Sequence, residues 1–301
     1  MPDTIKIRVP GTTANCGPGF DTIGVACSIY NDLEISWAEA GQLNIEITGE
    51  GAGHIPVTAD NVVIKAIKQV FRRLGKKNWG LTIKMHNQIP LSRGLGSSAA
   101  AIVAGLFAAN EITGRQLSGD DLLLMATVME GHPDNVAPAL FGGITVSIME
   151  GDLVRCLRFI PPQPLSMIVA VPDFHLSTRS ARQVLPKTVP FANAVYNVSR
   201  TALLVGALCQ GDMTLLEYAL KDKLHQPYRE KLIPGMMDVL NAATEAGAWG
   251  AALSGAGPCL IAFTSQNQVA IGEAMVNAFA SHRIRSRYLV LAMDTAGAVV
   301  L

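Results

Sequence analysis

The stretch RGLGSSAA at residues 93–100 joins flexible glycines to small helix-forming residues, with two hydroxyl groups at the junction. Glycine lets backbone N–H groups approach a ligand closely, and a helix start presents unpaired N–H groups and the positive end of its dipole. Ser97 and Ser98 add hydroxyl groups that donate to an anion or reach a magnesium ion. We predict that residues 93–98 hold a phosphate chain; the alternative is a tight turn in which Ser97 caps the helix.

This glycine loop matches neither of two widespread nucleotide-binding patterns. The pattern GxxxxGK[ST] requires a lysine before the hydroxyl residue, and the loop has none. The dinucleotide pattern requires a third glycine where this chain has serines. The sequence therefore predicts a phosphate site of a different type.

Hydrophobic periodicity predicts the elements that position this loop. Strands are predicted at 5–9, 25–37, 43–49, 81–89, 143–150, 153–160 and 284–293, and in LSMIVAVP, GAALSG and CLIAFTS. Helices are predicted at 97–113, 120–131, 178–185, 191–209, 212–224 and 234–246, and a further helix is predicted to begin at Asp60 as its N-cap. Residues 10–24 are predicted to form a loop. Because strands and helices mix without strict βαβ alternation, we expect an α+β fold.

The chain length and a proline cluster predict two domains. A chain of 301 residues is usually too long to fold around a single compact core. The prolines of PPQP at 161–164 stop both helices and strand pairing. We predict an N-terminal domain at 1–160 and a C-terminal domain at 161–301.

The charge balance limits the classes of partner. The 24 basic and 24 acidic side chains give no net charge, so no broad attraction to nucleic acid or an anionic membrane is expected. The five cysteines are scattered without metal-ligand spacing. With no signal-peptide pattern at the N-terminus, these features predict a cytoplasmic protein without a nucleic-acid or membrane partner.

Three segments resemble the motifs of the GHMP kinases, in the family's order and spacing. They are PGTTANCGPGFDTIG at 10–24, PLSRGLGSSAA at 90–100 and SGAGPCLIAF at 254–263. Three ordered motifs are far more specific than one glycine loop. The resemblance implies a two-domain α+β fold, with an N-terminal sandwich like domain 2 of ribosomal protein S5 and a ferredoxin-like C-terminal domain.

Four further segments resemble the branch of this family that phosphorylates the side-chain hydroxyl of L-homoserine, on the route to threonine. They are EGHPDNVAPALFGG (130–143), STRSARQVLP (177–186), PYREKLIPG (227–235) and DTAGAVVL (294–301). The resemblance implies ATP, Mg²⁺ and L-homoserine as ligands. The alternatives are a kinase for a mevalonate-type alcohol and a non-catalytic nucleotide sensor. A monomer and a homodimer both stay open.

The resemblance also implies which residues form the site. For ATP these are Pro90, Leu91, Ser92, Arg93, Gly94, Leu95, Gly96, Ser97, Ser98, Ala99, Ala100, Gly255 and Gly257, with Asn61 at the base pocket. For magnesium they are Ser98 and Glu130. For the acceptor they are Asn15, Asp21, His132, Asp134, Thr178, Arg182 and Arg229, and for catalysis Asp134, Asn135 and Asn15.

The chemistry of an amino-acid acceptor assigns roles within that set. Arg182 and Arg229 suit the carboxylate, because guanidinium binds it bidentately. Asp21 and Asp134 suit the ammonium group. Asp134 is alternatively a proton acceptor for the hydroxyl group; if it holds the ammonium while a neighbouring asparagine faces the hydroxyl, no side-chain base remains. The sequence leaves both mechanisms open, and it leaves a purely structural role open for His132.

Overall fold

The computed structural model describes residues 4–301, which contain eleven strands and ten α-helices. The strands are β1 (Thr4–Ala14), β2 (Ile23–Ala38), β3 (Leu43–Gly49), β4 (Gly80–Asn87), β5 (Ile144–Glu150), β6 (Leu153–Phe159), β7 (Ser166–Pro172), β8 (Gly250–Leu253), β9 (Leu260–Thr264), β10 (Ser286–Ala292) and β11 (Val299–Val300). The helices are α1 (Val62–Arg73), α2 (Ser97–Ile112), α3 (Gly119–Glu130), α4 (Pro133–Phe141), α5 (Thr178–Gln183), α6 (Phe191–Gln210), α7 (Leu216–Ala219), α8 (Gln226–Arg229), α9 (Met236–Glu245) and α10 (Gln268–Ser281).

The strands form two separate sheets. The first has the order β11-β1-β2-β4-β3, and β5 and β6 continue from β2. The second has the order β10-β7-β9-β8. Only β3 and β4 pair in parallel among the strands described. The predicted α+β class is therefore confirmed, and β11 returns the end of the chain to the first sheet.

Strand β7 contributes side chains to both hydrophobic cores of the protein. Met167, Val169 and Val171 belong to the larger core, which also contains α1–α4. Ile168 and Ala170 belong to a second core under α9 and α10. Since alternate residues of a strand face opposite sides, both faces of β7 are buried, which accounts for the continuous apolar run LSMIVAVP. The boundary at 161–164, just before this strand, stays a prediction.

Two local predictions are wrong by a few residues. Strand β1 runs on through Ala14, because a bulge between Pro10 and Gly11 lets the next residues pair with β2, so the predicted loop at 10–24 begins later. The N-cap of α1 is Asn61 rather than Asp60, since its side chain accepts from the Val63 N–H.

The predicted helix at 212–224 is broken. A 3₁₀ turn at Met213–Leu215 leads into the short α7, and the chain then turns at Asp222. The Asp222 carboxylate accepts the backbone N–H groups of Leu224, His225 and Gln226, which fixes this turn and starts α8. None of the helices within residues 4–301 combines the length and the apolar character needed to cross a membrane.

Candidate active site

The glycine loop connects β4 to α2 with its backbone carbonyls turned toward the protein. Leu95 O accepts from the Thr12 N–H at 3.0 Å, and Gly94 O accepts from Ser254 Oγ at 2.6 Å. Gly94 and Gly96 have φ angles of 79° and 67°, in the left-handed region that favours glycine. The cap of α2 is thus Gly96 without a side-chain bond, so the alternative of Ser97 as N-cap is wrong.

The amides of the same loop are free. Within residues 4–301, the N–H groups of Gly94, Gly96, Ser97 and Ser98 donate no hydrogen bond to the protein. They stand at the N-terminal end of a 16-residue helix, where the helix dipole favours an anion. A phosphate chain is the ligand that this arrangement suits.

The first and third motifs meet behind this loop. Asn15, 4% exposed and with a φ of 69°, donates from Nδ2 to Gly255 O at 2.8 Å. Its Oδ1 accepts from the Asp21 N–H at 3.0 Å. Both polar groups of this side chain are therefore occupied by the protein, and Asn15 fixes the position of Asp21 relative to the SGAGP loop.

Two cavities adjoin at the start of α2. The first, of about 190 Å³, is lined by most of the expected residues: Asn15, Asp21, Ser92, Arg93, Gly94, Gly96, Ser97, Ser98, Glu130, His132, Asp134, Asn135, Thr178, Arg182, Arg229, Gly255 and Gly257. We call it the acceptor cavity. The second, of about 230 Å³, shares Ser92, Ser97 and Ser98 with it and has an apolar lining that includes Met85 and Leu91. We call it the base cavity.

Several residues expected at the nucleotide offer no free polar side chain to either cavity. Leu95, Ala99 and Ala100 are buried in the core, so only their backbone can face a nucleotide. Pro90 lines neither cavity, and the Arg93 guanidinium turns to the Pro172 carbonyl. Asn61 lines the base cavity, but both its polar groups are used, by Val63 N–H and by Pro56 O.

Asp21 and Arg182 form an ion pair across the acceptor cavity. Two guanidinium N–H groups of Arg182 donate to the two carboxylate oxygens of Asp21 at 2.9 and 2.7 Å. The hydrogen bond with Asp21 raises the pKa of Arg182, against the opposing effect of burial. The sequence assigned these groups to opposite ends of a substrate, whereas in the structure they bind each other.

Arg229 is a buried cation without an anionic partner among the described residues. Its side chain is 1% exposed and donates to two carbonyl oxygens, Ala181 O at 3.1 Å and Gly255 O at 3.0 Å. Burial, and then the charge of Arg182, lower the pKa of Arg229 to about 10. The guanidinium therefore stays charged at neutral pH at an energetic cost, which an incoming carboxylate would offset.

Two carboxylates and an imidazole form a second charged group in the acceptor cavity. Asp134, 1% exposed, contacts His132 Nδ1 at 2.5 Å. Ligand atoms of Asp21, His132 and Asp134 all lie within 4.8 Å of one another. Two carboxylates at this spacing attract a cation, and an ammonium group or a metal ion both satisfy that electrostatic requirement.

The His132–Asp134 contact predicts a pH-dependent stability. Burial alone lowers the pKa of His132, but the hydrogen bond and charge of Asp134, with Asp21 and Glu130, outweigh it and raise the pKa. A raised pKa means that the contact stabilises the fold fully below the ordinary value of about 6.5 and less as pH rises through the folded-state pKa. We expect His132→Gln to reduce the free energy of unfolding most at acidic pH.

Urea unfolding at a series of pH values checks this expectation, with the exposed His54→Gln as the matched control. The difference in the free energy of unfolding between wild type and His132→Gln should decrease as pH rises above neutrality. A gap that widens with pH would contradict the sign derived from the Asp134 contact.

Asn135 and Glu130 complete the cavity wall beside α2. Asn135 lines the cavity, and its Oδ1 accepts from the Thr12 hydroxyl at 2.9 Å. Glu130, at the end of α3, accepts from Ser98 Oγ at 2.8 Å. The second pair brings two hard oxygen ligands next to the free amides, and oxygen ligands are those that Mg²⁺ prefers.

Sequence reasoning missed the residues that hold Arg229. His225 is fully buried; its Nε2 donates to Gly17 O at 2.7 Å, and its Nδ1 accepts from Arg229 at 3.3 Å. The Phe20 ring lies 5.4 Å from the Arg182 guanidinium and 5.3 Å from that of Arg229. The four-residue spacing between His225 and Arg229 was the available signal, since it places both on one face of a helical turn.

The chain matches known proteins along its whole length. The model for the GHMP kinases N terminal domain matches residues 61–143, and that for the GHMP kinases C terminal domain matches residues 204–282. A homoserine kinase of Moorella thermoacetica is 47% identical over 295 residues, covering 98% of this chain and 99% of the relative. One from Carboxydothermus hydrogenoformans is 44% identical over 297 residues, covering 99% and 97%. This chain belongs to the homoserine kinase branch of the GHMP kinase family.

Solved structures agree with this membership of the GHMP kinases. The crystal structure of homoserine kinase from Cytophaga hutchinsonii superposes with a TM-score of 0.91 at 33% identity, over 100% of this chain and 98% of that one. An L. major mevalonate kinase in complex with R-mevalonate has a TM-score of 0.73 at 20% identity, covering 97% and 96%, which shows the shared fold alone. The family resemblance and the two-domain GHMP kinase fold expected from the motifs are confirmed.

Proposed function

We propose that this chain transfers the γ-phosphoryl group of ATP to the side-chain hydroxyl of L-homoserine. The observation that carries the proposal is the charge layout of the acceptor cavity. The cavity is lined by the buried Arg229, which has no anionic partner among the described residues, and by a second charged group, the carboxylates of Asp21 and Asp134. A zwitterionic amino acid supplies a carboxylate to the first and an ammonium group to the second. The full-length homoserine kinase relatives support the same acceptor.

The glycine loop would bind the phosphate groups of ATP. Phosphoryl transfer depends on positioning and on neutralising charge rather than on covalent chemistry. The four free amides of Gly94, Gly96, Ser97 and Ser98 would bind the β- and γ-phosphates, and the apolar base cavity beside them would take the adenine. Because both cavities share Ser92, Ser97 and Ser98, the phosphate chain would end where the acceptor hydroxyl begins.

The oxygen atoms next to the free amides of the glycine loop fit a magnesium ion. We propose Glu130 and Ser98, whose oxygens lie 2.8 Å apart, as the protein groups that hold it. When bound there, the ion would neutralise phosphate charge. The remaining oxygens of its preferred six-fold shell would come from phosphate and water.

Replacing Glu130 with glutamine should raise the magnesium concentration needed for half-maximal rate by at least about tenfold, because a charged ligand is lost. Titrating Mg²⁺ at saturating ATP and homoserine measures this concentration, with the exposed Glu245→Gln at the end of α9 as control. An unchanged magnesium requirement would remove Glu130 from the metal site.

The role of Asp134 separates the two mechanisms. If Asp134 binds the ammonium group, Asn135 faces the hydroxyl, and the hydroxyl proton passes to the γ-phosphate while the amides stabilise the transition state. If Asp134 is the base, it takes that proton itself. We favour the ammonium role, because Asp134 already accepts a hydrogen bond from His132. Asp134 also lies with Asp21 and His132 in the group whose carboxylates attract a cation.

Asp134→Asn is expected to lower kcat/KM for homoserine by about 100-fold, as for a lost charge-assisted contact of about 3 kcal/mol. On 4-hydroxybutyrate, which lacks the amine, wild type and variant should differ little. Initial rates with both acceptors measure this. An equal loss of kcat on both compounds would instead identify Asp134 as the proton acceptor.

A panel of alcohols with ATP and Mg²⁺ tests the function itself. We expect ADP release with L-homoserine and little with mevalonate, whose lack of an ammonium group leaves the buried Asp134 carboxylate without a substrate cation. Turnover of mevalonate in preference to homoserine would favour the other branch of the family. ATP binding without turnover of any acceptor would favour a nucleotide sensor.

A further inference from the structure

His225 is a fully buried histidine that the proposed chemistry does not use. It precedes α8, and its ring bonds both the turn that follows β1 and the guanidinium of Arg229. Nε2 donates to Gly17 O at 2.7 Å, and Nδ1 accepts from Arg229 Nη1 at 3.3 Å. A carbonyl oxygen only accepts and a guanidinium only donates. These two partners therefore require the neutral tautomer that carries its proton on Nε2.

The charges around the ring agree with a neutral histidine. Burial lowers the pKa of His225, and the charge of Arg229 lowers it further. Together they outweigh the hydrogen bond to Gly17 O and the charges of Asp21 and Asp222, although Asp222 Oδ2 lies only 3.6 Å from Nε2. A neutral ring accepts from Arg229 without adding a second positive charge beside it.

The contacts of Arg229 leave one end of its guanidinium for a ligand. Nη1 donates to His225 Nδ1 and Gly255 O, and Nε donates to Ala181 O. Within residues 4–301, Nη2 makes no hydrogen bond. Because the guanidinium is planar, holding Nε and Nη1 also fixes Nη2. His225 thus helps to orient the group that lines the acceptor cavity and would bind the carboxylate.

The other partner of His225, Gly17, lies in the turn that carries Asp21. Gly17 has a φ of 75°, and a Cβ there would lie 2.1 Å from Leu220 O, so the turn packs closely against the chain that leads to α8. The next carbonyl, Pro18 O, accepts from the buried Asn197 Nδ2 at 3.3 Å. Two successive carbonyls of this turn are therefore bonded to side chains of the C-terminal half.

We propose that His225 is a positioning residue for the acceptor, because it fixes the Arg229 guanidinium relative to the turn that carries Asp21. This inference rests on the proposed homoserine acceptor, in which Arg229 binds the carboxylate and Asp21 the ammonium group. One buried side chain then aligns the sites for both charged ends of the amino acid. We expect His225 to control KM and acceptor selectivity with little effect on kcat, since its two partners hold those ends and not the reacting hydroxyl.

Two substitutions separate the two hydrogen bonds of His225. The glutamine amide reaches the position of Nε2, so His225→Gln keeps a donor for Gly17 O and removes the acceptor for Arg229; His225→Asn does the reverse. His225→Gln should raise the KM for homoserine about tenfold at nearly constant kcat, as for one lost hydrogen bond to a charged group. Its preference in kcat/KM for homoserine over homoserine amide should fall by the same factor. His225→Asn should keep that preference and raise KM about threefold for both acceptors, as for a lost neutral hydrogen bond.

Asn110→Ala is the matched control for a loss of stability. Asn110 is also buried and makes two side-chain hydrogen bonds, both to Leu117, near the C-terminal end of α2. This control should lower Tm without changing KM or selectivity. A His225→Gln variant that loses stability but keeps the wild-type KM and selectivity would overturn the inference and leave the proposed function intact. A wild type that does not phosphorylate homoserine would refute both.

The tautomer of His225 supplies a test that requires no variant to fold. In nitrogen-15-labelled wild type at neutral pH, its ring should show a protonated Nε2 and an unprotonated Nδ1. Nuclear Overhauser contacts with the Phe20 ring, whose centre lies 5.2 Å away, identify this histidine. A proton on Nδ1 would exclude the bond from Arg229 and would overturn the proposal.

Discussion

Replacing Gly94 with alanine is expected to lower kcat/KM for ATP by about 100-fold or more, the cost of a misplacement of about 1 Å at a reacting centre. A Cβ at Gly94 would lie 2.2 Å from the backbone oxygen of Ser254. Because that oxygen belongs to the SGAGP loop, which the Asn15 side chain also holds, it cannot move away freely. The glycine loop must shift instead, and its free amides shift with it.

Gly75→Ala is the matched control for this variant. Gly75 also has a positive φ, 64°, but no atom lies within 4 Å of its Cβ position. Both variants carry a left-handed backbone cost of about 1–2 kcal/mol, and only Gly94→Ala carries the collision. Steady-state rates and ATP affinity should fall for Gly94→Ala alone. Equal effects of the two variants would refute a positional role for the loop.

Replacing Arg229 with methionine is expected to raise the KM for homoserine by about 100-fold, with a smaller change in kcat. The loss corresponds to about 3 kcal/mol, typical for truncating one partner of a buried charge pair. The reason is that Arg229 is the buried cation whose hydrogen bonds within the protein go to neutral acceptors. The nearby Arg179→Met, on the exposed surface of α5, should have little effect.

An acceptor without a carboxylate identifies the contact that is lost. Wild type should use homoserine amide poorly, and Arg229→Met should use homoserine and its amide about equally. Homoserine should raise the Tm of wild type more than that of the variant, since a ligand stabilises only in proportion to its binding. If Arg229→Met still prefers the carboxylate over the amide, Arg229 does not bind that group.

The parts of the site that were predictable are local in sequence. The glycine loop was found because Gly94, Gly96 and Ser97 lie within a few residues of one another and together indicate a phosphate-binding loop. The run of small residues after them indicates the helix that follows. Family resemblance then pointed to Arg229 and Asp134. Hydrophobic periodicity placed most strands and helices, because each needs only its own pattern of buried faces.

The parts that were missed depend on contacts between distant segments. The Asp21–Arg182 pair joins residues 161 positions apart, and the His225–Gly17 bond joins residues 208 apart. No periodicity encodes such contacts. The extension of β1 was missed because Pro10 and Gly11 look like strand breakers, although a bulge accommodates both. The role of His225 was missed because its ring nitrogens bond the distant Gly17 carbonyl and the Arg229 guanidinium, contacts that only the fold creates.

A crystal structure with a non-hydrolysable ATP analogue and L-homoserine tests the central claim most directly. The β- and γ-phosphate oxygens should lie within hydrogen-bond distance of the amides from Gly94 to Ser98, with the homoserine carboxylate on Arg229. A triphosphate bound elsewhere, with those amides still unoccupied, would contradict the account.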